Sequence, residues 1–381
     1  MTPPIRTLVL IDAFRMGGAE TLLAPMIAAS RGSDIVMDVV SVSPEEFNSE
    51  KTMGILAEAG ITTRSLGIRR LLDPVALPRL TKFIRQGGYD IVHAHLEMAM
   101  TLAVPAAALA RRPAVCTFHH VVVPLAGRAV WRERLAVEAA TRSYRALFVS
   151  EASRRSFQEA YRPHGMPGNW AVLHNGIDLT NFTPGPADPA ARAELGGGPG
   201  PMVVLPGAFR EFKGIPVAIR AWPRVLQRFP DAVLSLVGGG AHEPELRALV
   251  NGLGLEDSVL FAGVRTDMPQ VYRAADVVLV PSIYGENFPT VLIEASATAR
   301  PIAASRVGGI PDIVLEDTTG LLFEAGSEDG LAEAVCRLLG DRELGDRLGA
   351  AARDRACSEF SATVWLDRLR ALYLQAMGDR R

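Results

Sequence analysis

Short runs of β-branched and apolar residues alternate with segments of helical periodicity along nearly the whole chain, in two separate blocks. The first block reads "TLVLIDAF", "DIVMDVVSVS", "YDIVHAH", "AVCTFHH", "RALFVS" and "WAVLHNGI", each followed by an amphipathic or loop segment. Strands that are apolar throughout, rather than at every second residue, are buried on both faces, so they belong to a parallel sheet covered by helices on each side. A proline- and glycine-rich break follows at residues 183–201, "TPGPADPAARAELGGGPGP". The alternation then resumes with "MVVLPGAF", "AVLSLVGGG", "SVLFAG", "DVVLVPS", "PIAASR" and "GLLF". The pattern predicts an α/β architecture of two Rossmann-like βαβ domains, with parallel sheets facing across a deep cleft. Residues 1–185 form the first domain and 186–360 the second, and a last helix at about 361–381 returns to the first. At 381 residues and 48% hydrophobic side chains, the chain is long enough for two full cores.

Charge and cysteine usage then exclude several classes. Forty basic residues against forty-two acidic ones give a net charge of −2, which is no footprint for a nucleic acid. Residues 1–185 carry 20 basic and 16 acidic side chains, a difference of +4, so a peripheral membrane contact through the first domain stays open. Residues 127–145, with Trp131 among arginines, have the look of a membrane-surface helix, although an ordinary amphipathic domain helix fits the pattern better. The three cysteines, Cys116, Cys336 and Cys357, have neither disulfide-framework nor zinc-site spacing. No signal-peptide pattern opens the sequence, and the uncharged runs, among them the apolar one near 98–110, are too short to span a bilayer. The expectation is a cytoplasmic protein, with the inner face of a membrane as its one alternative location.

Ligands of parallel sheets bind beyond the carboxyl ends of the strands. There the second block has "IYGENFPTVLIEA", which places Glu286 in a loop and Glu294 in the helix that follows, with Pro289 at the first turn. At about 1.5 Å rise per residue, Glu294 lies roughly 6 Å below Thr290, within reach of a ligand seated on the helix N-terminus. That N-terminus favours a phosphate, and carboxylates accept hydrogen bonds from hydroxyls. Either glutamate alone would be read as complementing the helix dipole. Support for the pair comes from "GAFREFKG" at 207–214, which sets Arg210 and Lys213 three apart after the second block's first strand. Only three of the forty basic residues are lysine, so one in this loop is unexpected by composition. A diphosphate suits both cations. Phosphate together with many hydroxyls describes a nucleotide sugar.

"GENFPTVLIEA", "FREFKG", "HNGID", "RAADVVLVPS", "RVGGIPDIV" and the early "GGAE" together resemble family 4 of the retaining glycosyltransferases, whose fold is GT-B. The resemblance implies that Glu294 binds the donor ribose and Glu286 the transferred sugar, while Lys213 and Arg210 neutralise the leaving diphosphate. Backbone amides around Asn287, Phe288, Thr290 and Val291 would hold sugar and phosphate, and Gly17 and Gly18 would let backbone approach them. His119 matches the family's histidine facing sugar and acceptor. Relatives often have arginine where this chain has Ala208, so Arg210 stands in by proximity. His93 and His95, at another strand end, are acceptor-side candidates. The implied reaction moves a hexosyl or N-acetylhexosaminyl unit from a nucleotide diphosphate sugar to an acceptor hydroxyl of a glycan, glycolipid or natural product, with retention. UDP is the commonest family choice, with GDP and ADP as alternatives. No D-x-D occurs, so neither a catalytic metal nor another cofactor is expected. A dinucleotide reading of "LVGGGAHEPEL" fails because the third glycine position is Glu243. Competing readings are a GT-B epimerase or phosphorylase, and a non-catalytic nucleotide-sugar or glycan binder. Abundant Arg, Ala and Gly with scarce Lys suggest a GC-rich bacterial genome.

Overall fold

The computed structural model describes residues 4–15, 26–122 and 126–379. The chain divides into two units, Met1–Asp178 with Ala362–Arg381, and Leu179–Ser361.

The first unit holds seven strands: β1 (Ile5–Ile11), β2 (Ile35–Ser41), β3 (Thr63–Ser65), β4 (Ile91–His95), β5 (Ala114–Phe118), β6 (Arg145–Phe148) and β7 (Trp170–Val172). They form one all-parallel sheet in the order β3-β2-β1-β4-β5-β6-β7. The sequence pattern reveals six of these. β3 is three residues of Thr-Arg-Ser, none of them buried, so it carries no apolar run to betray it. Strand order reverses between β1 and β4, which makes their carboxyl ends the place where such a sheet takes ligands.

One face of this sheet packs on helices Ala76–Gly87, Glu97–Leu109 and Arg128–Thr141 through Leu8, Leu10, Val92, Cys116, Phe118 and Phe148. The other face, with Val9, Ile11, Val115 and Leu147, is covered by Trp365, Leu366, Leu369 and Tyr373 of the last helix, Ala362–Gly378. Arg370 grips Asp34 with two nitrogens, the shortest contact being 2.5 Å, and Tyr144 donates to Asp379 at 2.7 Å. The helix around Trp131 buries Glu133, Ala136, Val137 and Ala140 and leaves Trp131 exposed, as a domain helix does.

The second unit holds β8 (Met202–Pro206), β9 (Val233–Val237), β10 (Val259–Gly263), β11 (Val277–Val280), β12 (Ile302–Ser305) and β13 (Leu321–Phe323), all parallel, in the order β10-β9-β8-β11-β12-β13. These are the six runs read from the sequence. The break between units falls after Asp178 rather than after residue 185. The reason is physical: Arg273 donates to Thr183 O at 2.9 Å, Arg300 to Gly185 O at 2.8 Å, and Phe182 packs its ring on Tyr272. The proline-rich stretch is thereby tied to the second unit instead of hanging between the two.

Candidate active site

Strand β8 ends in the loop 207–214 and β11 in the loop 281–289, and backbone contacts pin these loops together. Ile283 donates its N–H to Phe212 O at 2.8 Å. Gly214 sits at φ +65°, where a Cβ would collide with Pro281 O, so glycine alone lets the two loops lie this close. A third loop follows β12. Gly309 donates to Glu286 O at 3.1 Å, and a Cβ on Gly308 (φ +55°) would strike that same carbonyl. The "VGGIP" segment thus buttresses the glutamate loop from behind.

This convergence brings Lys213 Nζ to 2.5 Å from Glu286 Oε1, with side chains 17% and 7% exposed. Ser282 Oγ donates to the same oxygen at 2.6 Å. The Lys213 ammonium also lies 5.1 Å from the centre of the Phe212 ring. Arg210 is exposed and shares no ion pair with this cluster among the described residues. It lines a concavity of ≈ 240 Å³ with Ile215, Arg220 and His242. Lys213 and Glu286 meet; the Arg210 side chain is not part of that pair, although the N–H of Lys213 donates to Arg210 O at 3.1 Å.

The helix after the glutamate loop runs Thr290–Ala297, with Pro289 as its N-cap rather than inside its first turn. Its first N–H groups, from Thr290 onward, have no intrahelical acceptor and suit an anion. Thr290 and Val291 are half-buried at this end, Asn287 likewise, while Phe288 is buried edge-on against Phe360 at 5.5 Å. Glu294, one turn in, accepts from Tyr272 OH at 2.7 Å and from Thr290. Burial raises its carboxyl above the usual range, and the hydrogen bonds from Tyr272 and Thr290 oppose that rise. Tyr272 is an anchor that the sequence offers no spacing rule to find, because it comes from a different helix, Met268–Ala274.

In the first unit, the residue alternation of parallel strands sorts the histidines onto opposite faces. His93 and His95 of β4, Thr117 of β5 and His119 just beyond share one side, with His93 and His95 stacked at 4.4 Å and His95 and His119 at 5.1 Å. His95 Nδ1 lies 2.8 Å from His119 Nε2. His93 uses both ring nitrogens internally, on Tyr373 OH at 2.6 Å and Thr117 Oγ1 at 2.7 Å, and is 2% exposed. The acceptor-side expectation for His93 is therefore corrected: its position is that of a structural cross-link to the last helix. His95 is buried too, and it reaches outward only through His119. Burial pushes His93 down to about 3 and holds His95 and His119 well below the ordinary imidazole value. Gly17 and Gly18 lie outside the described residues. Asp12, at the end of β1, accepts from the N–H groups of Ala99 at 2.7 Å and Met98 at 3.2 Å, and burial raises it to about 6 against the pull of those bonds.

Two all-parallel α/β units, with a cation–carboxylate pair and a helix N-terminus at the strand ends of the second, define the GT-B class. The overall fold matches HepE from Anabaena, solved in complex with UDP, at a TM-score of 0.82, 24% identity and coverage of 97% of this chain and 100% of that one. Residues 16–181 match the family model described as Glycosyltransferase Family 4, and residues 200–341 the one described as Glycosyl transferases group 1. A D-inositol 3-phosphate glycosyltransferase of Corynebacterium efficiens is 33% identical over 330 residues, 77% of this chain and 74% of the relative. The chain belongs to glycosyltransferase family 4. A GDP-mannose-dependent alpha-(1-6)-phosphatidylinositol monomannoside mannosyltransferase of Mycobacterium tuberculosis is 35% identical over 225 residues, 56% of this chain. That match spans only 57% of the mannosyltransferase's own length. No helix among the described residues is long and apolar enough to cross a membrane.

Proposed function

We propose that the protein is a retaining glycosyltransferase that moves a hexosyl or N-acetylhexosaminyl unit from a nucleotide diphosphate sugar to an acceptor hydroxyl. The observation that carries this reading is the Lys213–Glu286 pair set against the N-terminus of helix Thr290–Ala297, with Glu294 one turn deeper. The ammonium and the helix N–H groups offer positive potential to a diphosphate, and the two carboxylates offer acceptors to sugar and ribose hydroxyls. When the bond from the anomeric carbon to the leaving phosphate breaks, charge grows on that phosphate, and in this reading Lys213 stabilises it. In this reading Glu286 leaves the ammonium partly for the sugar, His119 contacts sugar or acceptor, and Arg210 supplies outer positive charge. The acceptor proton passes to the departing phosphate oxygen, so neither a protein nucleophile nor a metal or other cofactor is needed. UDP-sugars are the first donors to test, and GDP-mannose is next, because the mannosyltransferase relative depends on it by name.

A thermal-shift screen of UDP-, GDP- and ADP-sugars checks this. A ligand bound only by the native state raises the melting temperature, by an amount equivalent to about 2.7 kcal/mol at a hundredfold excess over Kd. One nucleotide class should stand out, and product analysis with acceptor present should show transfer rather than epimerisation. A flat screen would remove the proposal.

A further inference from the structure

His120 follows His119 in sequence but faces the other side of the sheet, where a second polar cluster lies in the same unit. His120 Nε2 is 2.9 Å from Glu133 Oε1, and Glu133 is 1% exposed. Tyr161 OH donates to the other oxygen of Glu133. A carboxylate engaged this way accepts, so Nε2 is the nitrogen turned to Glu133 and Nδ1 is the ring atom left to meet a ligand. The imidazole side chain is 36% exposed, and no group among the described residues takes Nδ1. Phe157 meets the ring edge-on at 5.2 Å, and Ser153 Oγ holds the His120 carbonyl at 2.5 Å, so the ring's direction is fixed. Glu97 completes the cluster: one ligand atom from each of Glu97, His120 and Glu133 lies within 4.8 Å of the others.

The cluster stands beyond the carboxyl ends of β4 and β5, next to the strand-order reversal at β1. In many parallel sheets that place would welcome a phosphate on the following helix. Here the N-terminus of Glu97–Leu109 is already filled by this chain's own Asp12, through Met98 and Ala99 N–H. Three carboxylates, Asp12, Glu97 and Glu133, thus gather here, against the exposed Arg132 and Arg134 of helix Arg128–Thr141. The surroundings are rich in acceptors and close to charge balance. Such a site takes hydroxyl donors and disfavours a dianion.

We propose that Glu133 holds His120 as a fixed hydrogen-bond acceptor which, with Glu97, forms a subsite for a neutral polyhydroxyl acceptor rather than a phosphorylated one. The inference rests on the glycosyltransferase reading above. His120 would touch the acceptor hydroxyl and orient it; Glu133 is a positioning residue acting through His120.

The test measures nucleoside diphosphate release from the nucleotide sugar returned by the thermal-shift screen. Glycerol, myo-inositol and glucose are compared as acceptors with glycerol 3-phosphate and glucose 6-phosphate. Neutral polyols should accelerate release more than their phosphate esters. His120→Ala and, separately, Glu97→Gln should raise the acceptor KM roughly tenfold, the worth of one hydrogen bond, while nucleotide Kd holds; His120→Ala, which strands buried Glu133, should also lower the melting temperature, and Glu97→Gln should leave it unchanged. Selective ¹⁵N labelling of histidine should show a bare Nδ1 on His120 in the parent. Preference for the phosphate esters would overturn the inference, as would an unchanged acceptor KM in both variants, or no acceleration by any neutral polyol in an enzyme that binds its donor. Stoichiometric Zn²⁺ or Mn²⁺ binding lost in Glu97→Gln would overturn it too, by making the trio a metal site. Failure of all nucleotides to bind is a different result, and it removes the glycosyltransferase reading itself.

Discussion

Lys213 and Glu286 are brought together across 73 residues of sequence, and each leaves the other little alternative partner. Removing one member of so covered a pair strands the other, which costs about 3 kcal/mol or more. Lys213→Ala should therefore lower the second unit's stability by that order and cut transfer about a hundredfold through the lost charge on the leaving group. Lys213→Arg separates the effects, keeping charge but not the compact geometry; recovery of stability without rate is the expected outcome in melting and kinetic assays. Glu294 behaves differently. Its folded carboxyl titrates above its unfolded value, so between those two values the native state holds the extra proton, and ionisation works against folding as pH rises. Glu294→Gln should accordingly gain stability relative to the parent on going from pH 4 to 7, while losing nucleoside diphosphate affinity. Denaturation midpoints at the two pH values, set beside a binding titration, check the pair of effects. Glu286, Glu294 and Lys213 were readable in sequence because a family pattern marks them. Tyr272, Ser282 and the direct pairing of Lys213 with Glu286 were not, since they depend on how neighbouring helices and loops pack.

Elements set these distances, and the loop Val307–Gly309 is the clearest case. Gly308→Ala would drive a methyl group into Glu286 O at a positive φ, so the glutamate loop must shift. Loss of donor binding with unit 1 unaffected is the expected phenotype, measurable by calorimetry and hydrogen exchange. The ends of β4 and β5 carry a pH dependence of their own. His93, His95 and His119 have folded values depressed by burial, so the unfolded chain takes up three more protons once pH falls below about 6.5. Asp12, raised to about 6, opposes them by one proton down to about 3.8. The histidines outnumber Asp12, so unit 1 should lose stability as pH falls from 6 towards 4. Hydrogen exchange across that range should show the first unit opening before the second; simultaneous opening would contradict it. All strands but β3 were readable as apolar runs, most plainly those buried throughout, such as β4, β5, β8, β11 and β12. The histidine stack was half-readable: the residues stood at strand ends, but which ring nitrogens remain open depends on Tyr373 and Thr117.

At the scale of the molecule, the last helix belongs to the first unit although it follows the second in sequence. Leu369 and Tyr373 are fully buried there against strands β1, β5 and β6. Each such side chain is worth about 1.5–3 kcal/mol, so a chain ending at residue 361 should lose exchange protection in unit 1 while Leu179–Ser361 keeps its fold. The boundary at Asp178 was less readable than the strands, because proline and glycine mark a stretch without saying which side holds it; Arg273 and Arg300 decide that. The family matches bear on family and the HepE superposition on fold, whereas the proposal is chemical: the second unit would hold the diphosphate of a sugar nucleotide through Lys213 and the helix N-terminus, and its ribose through Glu294. Calorimetric titration of the parent and of Glu294→Ala with UDP and GDP tests it most directly. Saturable one-to-one binding of at least one nucleotide by the parent, weakened roughly tenfold or more in the variant, is the expected result. Equal binding by both proteins, or none by either, would contradict it.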